Sequence, residues 1–206
     1  MKEPFRLLIA VPCTDYMHAD FVKSLLKLHA HLNHEGIRHD VEILTGTLVY
    51  MARNTLASKA INENYTHILF LDSDMVFDEN IVETLRFSKK DFICGSFNSR
   101  RPPYGSCIYK SLRPQEKADV SGMEPFRIAG CGMACTMISK EILIEVLNKY
   151  GTYFNPEKID GVNFGEDLAF CKRAADIGIE MWCDPTARVG HIAHITVWPG
   201  EEPAIK

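Results

Sequence analysis

The stretch THILFLDSDMVFDEN, residues 66–80, decides the fold. Ile68, Leu69, Phe70 and Leu71 make an unbroken apolar run, the pattern of a strand buried on both faces of a parallel sheet. The run stops at Asp72 and Asp74. Alternate side chains of a strand share a side, so the two carboxylates point the same way. Held close, like charges raise each other's pKa unless a cation relieves them. Open α/β sheets bind ligands at the carboxyl ends of their strands. The stretch therefore reads either as a polar turn that caps the next helix or as a site for a hard divalent cation, Mg²⁺ or Mn²⁺.

Outward from this strand, strand and helix signals alternate. Arg6–Val11 reads as a strand, Asp20–His34 as a helix with Phe21, Leu25, Leu28 and Leu32 on one face, Val41–Leu44 as a strand and Met51–Ile61 as a helix. A helix follows over Asp78–Phe87, capped by Asp78, and then a strand over Asp91–Phe97. Beyond the next segment come a strand at Met133–Ile138, helices at Lys140–Tyr150 and Gly165–Ile177, and a short strand at Glu180–Cys183. This order predicts an α/β protein with a mostly parallel, Rossmann-like sheet flanked by helices. Residues 98–125, rich in proline and glycine, read as a long irregular insertion of the kind that carries function. Residues 1–198 form one domain on this reading, and 199–206 a flexible tail.

The 206 residues are 46% hydrophobic and 24% charged, the composition of an ordinary globular domain. A net charge of -4 excludes a whole-molecule basic field for nucleic acid. The seven cysteines are scattered without a CxxC, which argues against a zinc site or disulfide scaffold and for reduced thiols in the cytoplasm. No apolar run reaches the length of a transmembrane segment.

Three further groups carry chemistry. Glu166 and Asp167 open a helix. Acidic residues favour that first turn through the helix dipole alone, and the alternative is a general base, although a helix N-terminus lowers a carboxylate pKa. His191 follows Gly190 near the end of the chain and is compatible with a metal. Arg53 heads a helix, where it is either a surface arginine or faces an anion.

Together LLIAVPC (7–13), ARN (52–54), HILFLDSDM (67–75), GCGMACTMIS (130–139), GEDLAFCKRAADIG (165–178) and GH (190–191) resemble the GT-A fold glycosyltransferases, in particular the family 2-like branch of bacterial and phage type. The resemblance implies a transferase that uses Mn²⁺ or Mg²⁺ and a nucleoside-diphosphate sugar, with a UDP-sugar favoured. It places Asp72 against the nucleotide ribose and metal, with Ser73 beside it, and Asp74 on the metal under the diphosphate. It makes His191 a further metal ligand and Asp167, with Glu166, the catalytic base. Pro12, Cys13 and Thr14 would cradle the nucleobase, and Arg53 would meet nucleotide or diphosphate. No separate acceptor domain is obvious in these 206 residues, and on this resemblance residues 98–125 would supply acceptor contacts.

Within 99–117, Arg100, Arg101, Lys110, Arg113 and Lys117 face only Glu116. That excess marks either a solvated loop whose charges keep it soluble or a site for an anionic acceptor (glycan, lipid-phosphate or nucleic acid) or the donor diphosphate. Two rival readings use the same strand end. A sugar-nucleotide nucleotidyltransferase needs a glycine-rich basic loop after the first strand, which VPCTDYMHAD does not offer. A non-catalytic nucleotide-binding protein has no need of Glu166, Asp167 or His191.

Overall fold

The computed structural model describes residues 3–159 and 161–193; the tail expected from residue 199 lies outside them. A central sheet of seven strands has the order His39–Leu44, Leu7–Pro12, His67–Leu71, Cys135–Ser139, Phe92–Ser96, Met181–Arg188, Phe126–Ile128. Its first half holds β1 (Leu7–Pro12), β2 (His39–Leu44) and β3 (His67–Leu71), joined in parallel through α1 (Ala19–His34) and α2 (Val49–Asn62). Every residue of β1 is buried, as are the last four of β3. The apolar run that opened the sequence reading is therefore a central strand, and Asp72 and Asp74 leave its carboxyl end.

After β3 come β4 (Met75–Val76), α3 (Ile81–Phe87) and β5 (Phe92–Ser96). The helix starts three residues later than the sequence indicates, and Asp78 does not cap it: Asn80 holds the cap position without a side-chain bond. The cause is tertiary. Met75 and Val76 are drawn into antiparallel pairing with β14 (Gly190–His191), which keeps the chain extended there.

The 98–125 insertion is partly ordered. β6 (Ile108–Leu112) and β7 (Gln115–Lys117) form a hairpin, and β6 also pairs with β9 (Gly130–Cys131). β8 (Phe126–Ile128) joins the edge of the main sheet. β10 (Cys135–Ser139) inserts antiparallel between β3 and β5, and β8 is antiparallel to β13 (Met181–Arg188). These two interrupt an otherwise parallel sheet. α4 (Lys140–Tyr150) matches the predicted range; Ser139 caps its start, and Gly151 in the left-handed conformation ends it. A small hairpin of β11 (Glu157–Ile159) and β12 (Val162–Phe164) leads into α5 (Glu166–Asp176).

β13 is longer than the strand predicted at Glu180–Cys183. It passes Pro185 because its register against β5 shifts between Asp184 and Arg188, the kind of irregularity at which a strand tolerates proline. One apolar core spans the two halves of the sheet and its helices. No helix among the described residues is long and apolar enough to cross a membrane.

Candidate active site

Each aspartate of the strand end carries its own arginine. Arg53 leaves α2 toward the sheet and is 3% exposed, so it is not a surface arginine. Its Nη2 donates to Asp72 Oδ1 at 2.7 Å and its Nη1 to Glu166 Oε1 at 2.5 Å. Burial alone would lower the guanidinium pKa, but Asp72, Glu166 and Asp167 outweigh it and raise it. Arg53 thus clamps the end of β3 to the start of α5.

Asp74 belongs to a second cluster. Its Oδ2 accepts from the Arg100 guanidinium and lies 3.2 Å from His191 Nε2. The β4–β14 pairing brings His191 here, helped by the Ile192 amide donating to the Asp74 carbonyl at 2.9 Å. His191 Nδ1 donates to the Asn98 carbonyl at 2.9 Å. That bond fixes the tautomer and aims Nε2 at Asp74. Burial pushes the Asp74 carboxyl upward, but the hydrogen bond and charge of His191 and the charge of Arg100 prevail, and its pKa falls below the usual value. The bond to Asp74 raises that of His191.

Asp167 behaves oppositely. Burial and the neighbouring Glu166 push its carboxyl up to about 6, against the opposing charge of Arg53 and a bond from the Leu168 amide. The helix N-terminus was expected to lower this value; burial and a like charge win instead. Space for the carboxyl comes from Gly165, where a Cβ would stand 3.1 Å from Asp167 Oδ1.

A groove of ≈ 590 Å³ runs over the ends of β1 and β3. Pro12, Cys13 and Thr14 line one wall, Asp72, Ser73 and Asp74 the other, and Arg100 closes one end. The six groove residues that the sequence reading assigned to nucleotide and metal therefore share one cavity. Tyr16 (87% exposed) and Met17 stand at its mouth; only their place in the loop after β1 marks them in the sequence. Beyond Arg100 lies a second cavity of ≈ 940 Å³ over the ends of β5 and β13, lined by Phe97, Met123, Arg188 and His191 among others. A third, of ≈ 740 Å³, between α1 and residues 76–80, holds none of the candidate residues.

The structure does not gather all three proposed metal ligands. Asp74 and His191 meet, whereas Asp72 turns to Arg53. Among the described residues no group of three or more His, Cys, Asp or Glu is arranged to hold a metal ion. Nor are four of the five basic residues of the insertion free. Arg100 pairs with Asp74, Lys110 with Glu116, Lys117 covers the Tyr109 ring, and Arg113 lies over Phe164. The sequence gives no local sign that Arg100 would meet Asp74; only the need of two close carboxylates for countercharge hints at it.

No family model and no curated protein matches the sequence. Solved structures do. A197 from STIV superposes with a TM-score of 0.56 at 17% identity over 96% of this chain and 99% of that one. GalNAc-T7, solved with UDP, GalNAc and Mn²⁺, gives 0.57 at 14% identity over 96% of this chain and 45% of its own. Drosophila β1,4-galactosyltransferase 7, solved with manganese, UDP-Gal and xylobiose, gives 0.53 at 14% over 93% and 72%. The chain has a GT-A-like glycosyltransferase fold.

Proposed function

We propose that the protein is a metal-dependent glycosyltransferase that moves a sugar from a nucleoside-diphosphate sugar, a UDP-sugar in the first instance, to an acceptor hydroxyl. The observation that carries this reading is the meeting of Asp74 with His191, 117 positions later, at the carboxyl end of the central strands. A carboxylate oxygen and an imidazole nitrogen of fixed tautomer suit Mn²⁺ or Mg²⁺, which take their other ligands from water and phosphate. The two residues therefore fit such a cation, while Asp72 stays paired to Arg53. When bound, the cation offsets negative charge on the departing diphosphate.

The chain's own residues supply the rest. The groove over β1 takes the nucleoside, with Pro12, Cys13 and Thr14 beside the base and Tyr16 offering a ring face to it. Asp167 takes the proton of the acceptor hydroxyl as its oxygen bonds to the anomeric carbon. The bond from that carbon to the diphosphate breaks, and its electron pair stays on the phosphate oxygen. A pKa of about 6 leaves Asp167 ionised near neutral pH yet more basic than an ordinary aspartate. Glu166 and Arg53 hold its charge environment. The acceptor enters from the cavity over β5 and β13, where Arg188 offers a charge to an anionic acceptor. Seven free cysteines fit a reducing compartment such as the cytoplasm.

The test is incubation with UDP-, GDP- and dTDP-sugars with and without Mn²⁺, reading release of the free nucleotide, alongside nucleotide binding. Slow Mn²⁺-dependent release is expected, and Asp74→Ala is expected to abolish Mn²⁺-dependent nucleotide binding in a folded protein. Nucleotide binding that ignores both Mn²⁺ and Asp74 would sink the reading. Tight binding with no release under any acceptor favours the non-catalytic alternative.

A further inference from the structure

We infer that Arg100 is an internal stand-in for the divalent cation: it neutralises Asp74 in the metal-free protein, yields that carboxylate when a cation arrives, and then meets the phosphates that the cation holds. This rests on the proposed placing of a cation at Asp74 and His191. The Arg100 guanidinium and His191 Nε2 converge on one oxygen, Asp74 Oδ2. A cation bound between that oxygen and the imidazole would take the place of the guanidinium charge. A divalent cation and the guanidinium on the same oxygen repel each other, so each binding event weakens the other.

The arginines of the strand end differ in a way that assigns them different tasks. Arg53, 3% exposed and bonded to two carboxylates, is fixed. The Arg100 side chain is 46% exposed, while Asp74 beside it is 19% and His191 18%. Arg100 is the one member of its cluster that can leave without unburying a charge. Its backbone need not move. Ser99 N donates to the Gly105 carbonyl at 3.0 Å, Arg101 N to Ser99 Oγ at 3.1 Å, and Asn98 bridges to Ser106. The exchange is thus a side-chain rotation over a pinned loop. Arg100 lines both the groove of Asp72–Asp74 and the cavity over β5 and β13. Released from Asp74 it stays at the end of the groove, where its planar fork matches a diphosphate. Nucleotide that draws Arg100 away then strengthens metal binding, and metal strengthens nucleotide binding by the same factor.

The experiment measures Mn²⁺ binding without nucleotide, by paramagnetic resonance of free Mn²⁺, and UDP binding at saturating Mn²⁺, by calorimetry. The proteins are wild type, Arg100→Ala, Arg100→Lys and Asp74→Asn, with melting curves to show that each is folded. Arg100→Ala is expected to bind Mn²⁺ about three- to fivefold more tightly, the scale of a part-exposed ion pair, and UDP about tenfold more weakly, the scale of a charge-assisted phosphate contact. Arg100→Lys keeps the charge without the fork, so its Mn²⁺ affinity stays near wild type and its UDP affinity falls between the two. A purely structural arginine would weaken both ligands together. The inference is overturned if Arg100→Ala binds Mn²⁺ no more tightly, or binds UDP as well as wild type, while Asp74→Asn loses Mn²⁺; the proposed cation site survives either result. If Asp74→Asn binds Mn²⁺ as wild type does, the cation site itself is wrong and the inference falls with it.

Discussion

Asp167 ties acid–base chemistry to stability in a way that can be separated by experiment. Its folded value of about 6 lies above the ordinary 3.8. The folded protein therefore holds this proton more tightly than the unfolded chain, and the contribution to stability is complete below about 3.8 and lost as pH rises through about 6. At pH 8 the buried charge opposes folding. Asp167→Asn is accordingly expected to melt no lower than wild type at pH 8 while nucleotide release falls about a hundredfold or more. UDP affinity should hold within about twofold, because a base acts only in the chemical step. A drop in melting temperature that matches the loss of activity would return Asp167 to the role of a helix-start acid. Arg53 gives the converse test. Its charge holds the Asp167 pKa down, so Arg53→Met should move the acid limb of the pH–rate profile upward. It should also cost about 3 kcal/mol or more of stability, because it strips the countercharge from Asp72 and Glu166. A profile with its acid limb unmoved would mean that Arg53 does not set the charge of Asp167. At this scale the sequence shows the acids and His191, whose residue types announce their chemistry. It does not show the partners: Arg53 meets Glu166 across 113 positions and Arg100 meets Asp74 across 26.

β13 leads into β14 and His191, and its seating against β5 depends on Gly95. A Cβ there would come within 2.5 Å of the Ala187 carbonyl oxygen. That oxygen is backbone of the neighbouring strand and cannot swing aside, so the strands must part. Gly95→Ala is expected to cost about 1–3 kcal/mol. It should also weaken Mn²⁺ binding, since β14, which follows β13, places His191 against Met75. Gly122→Ala, with no atom within 4 Å of the added Cβ, should change neither. Equal effects of the two substitutions in melting and Mn²⁺ titrations would remove the link between strand seating and site. Elements of this size divide sharply in how far the sequence reveals them. α1, α4 and α5 declare themselves through apolar spacing over 11 to 16 residues, and α2 through its alanine-rich composition. β4 and β14, at two residues each, have no period to read. They exist because they find each other across the chain, and that pairing delays α3 past the expected cap at Asp78.

At the scale of the whole molecule, the sheet edge carries two separate cavities. β2, β1 and β3 carry the ≈ 590 Å³ groove, β5 and β13 the ≈ 940 Å³ cavity, and Asp74, Arg100 and His191 stand between them. The alternation of strands and helices made the parallel half legible. The other half was harder because β10 and β8 run against the sheet and β6 and β7 build a side sheet with β9 from a segment that reads as irregular. On the proposed function, that half takes the acceptor. If donor and acceptor approach from opposite sides of the Arg100 wall, the two cavities can be blocked independently. Thr14 is exposed in the groove and Ser121 in the second cavity, so a large ring can be placed at either without disturbing the core. Thr14→Trp should lower Mn²⁺-dependent UDP affinity by about tenfold or more, since it fills space the nucleotide needs. Ser121→Trp should leave that affinity and the slow transfer of sugar to water within about twofold of wild type. Transfer to any acceptor found by screening should nevertheless fall, because a hydroxyl carried on a larger molecule has to cross the filled cavity while water does not. Calorimetry with UDP and release assays with and without acceptor separate the two effects. Should Ser121→Trp abolish UDP binding, the cavities form one donor site and the division of the edge is wrong. Should it leave acceptor transfer untouched, the acceptor reaches Asp167 by another path.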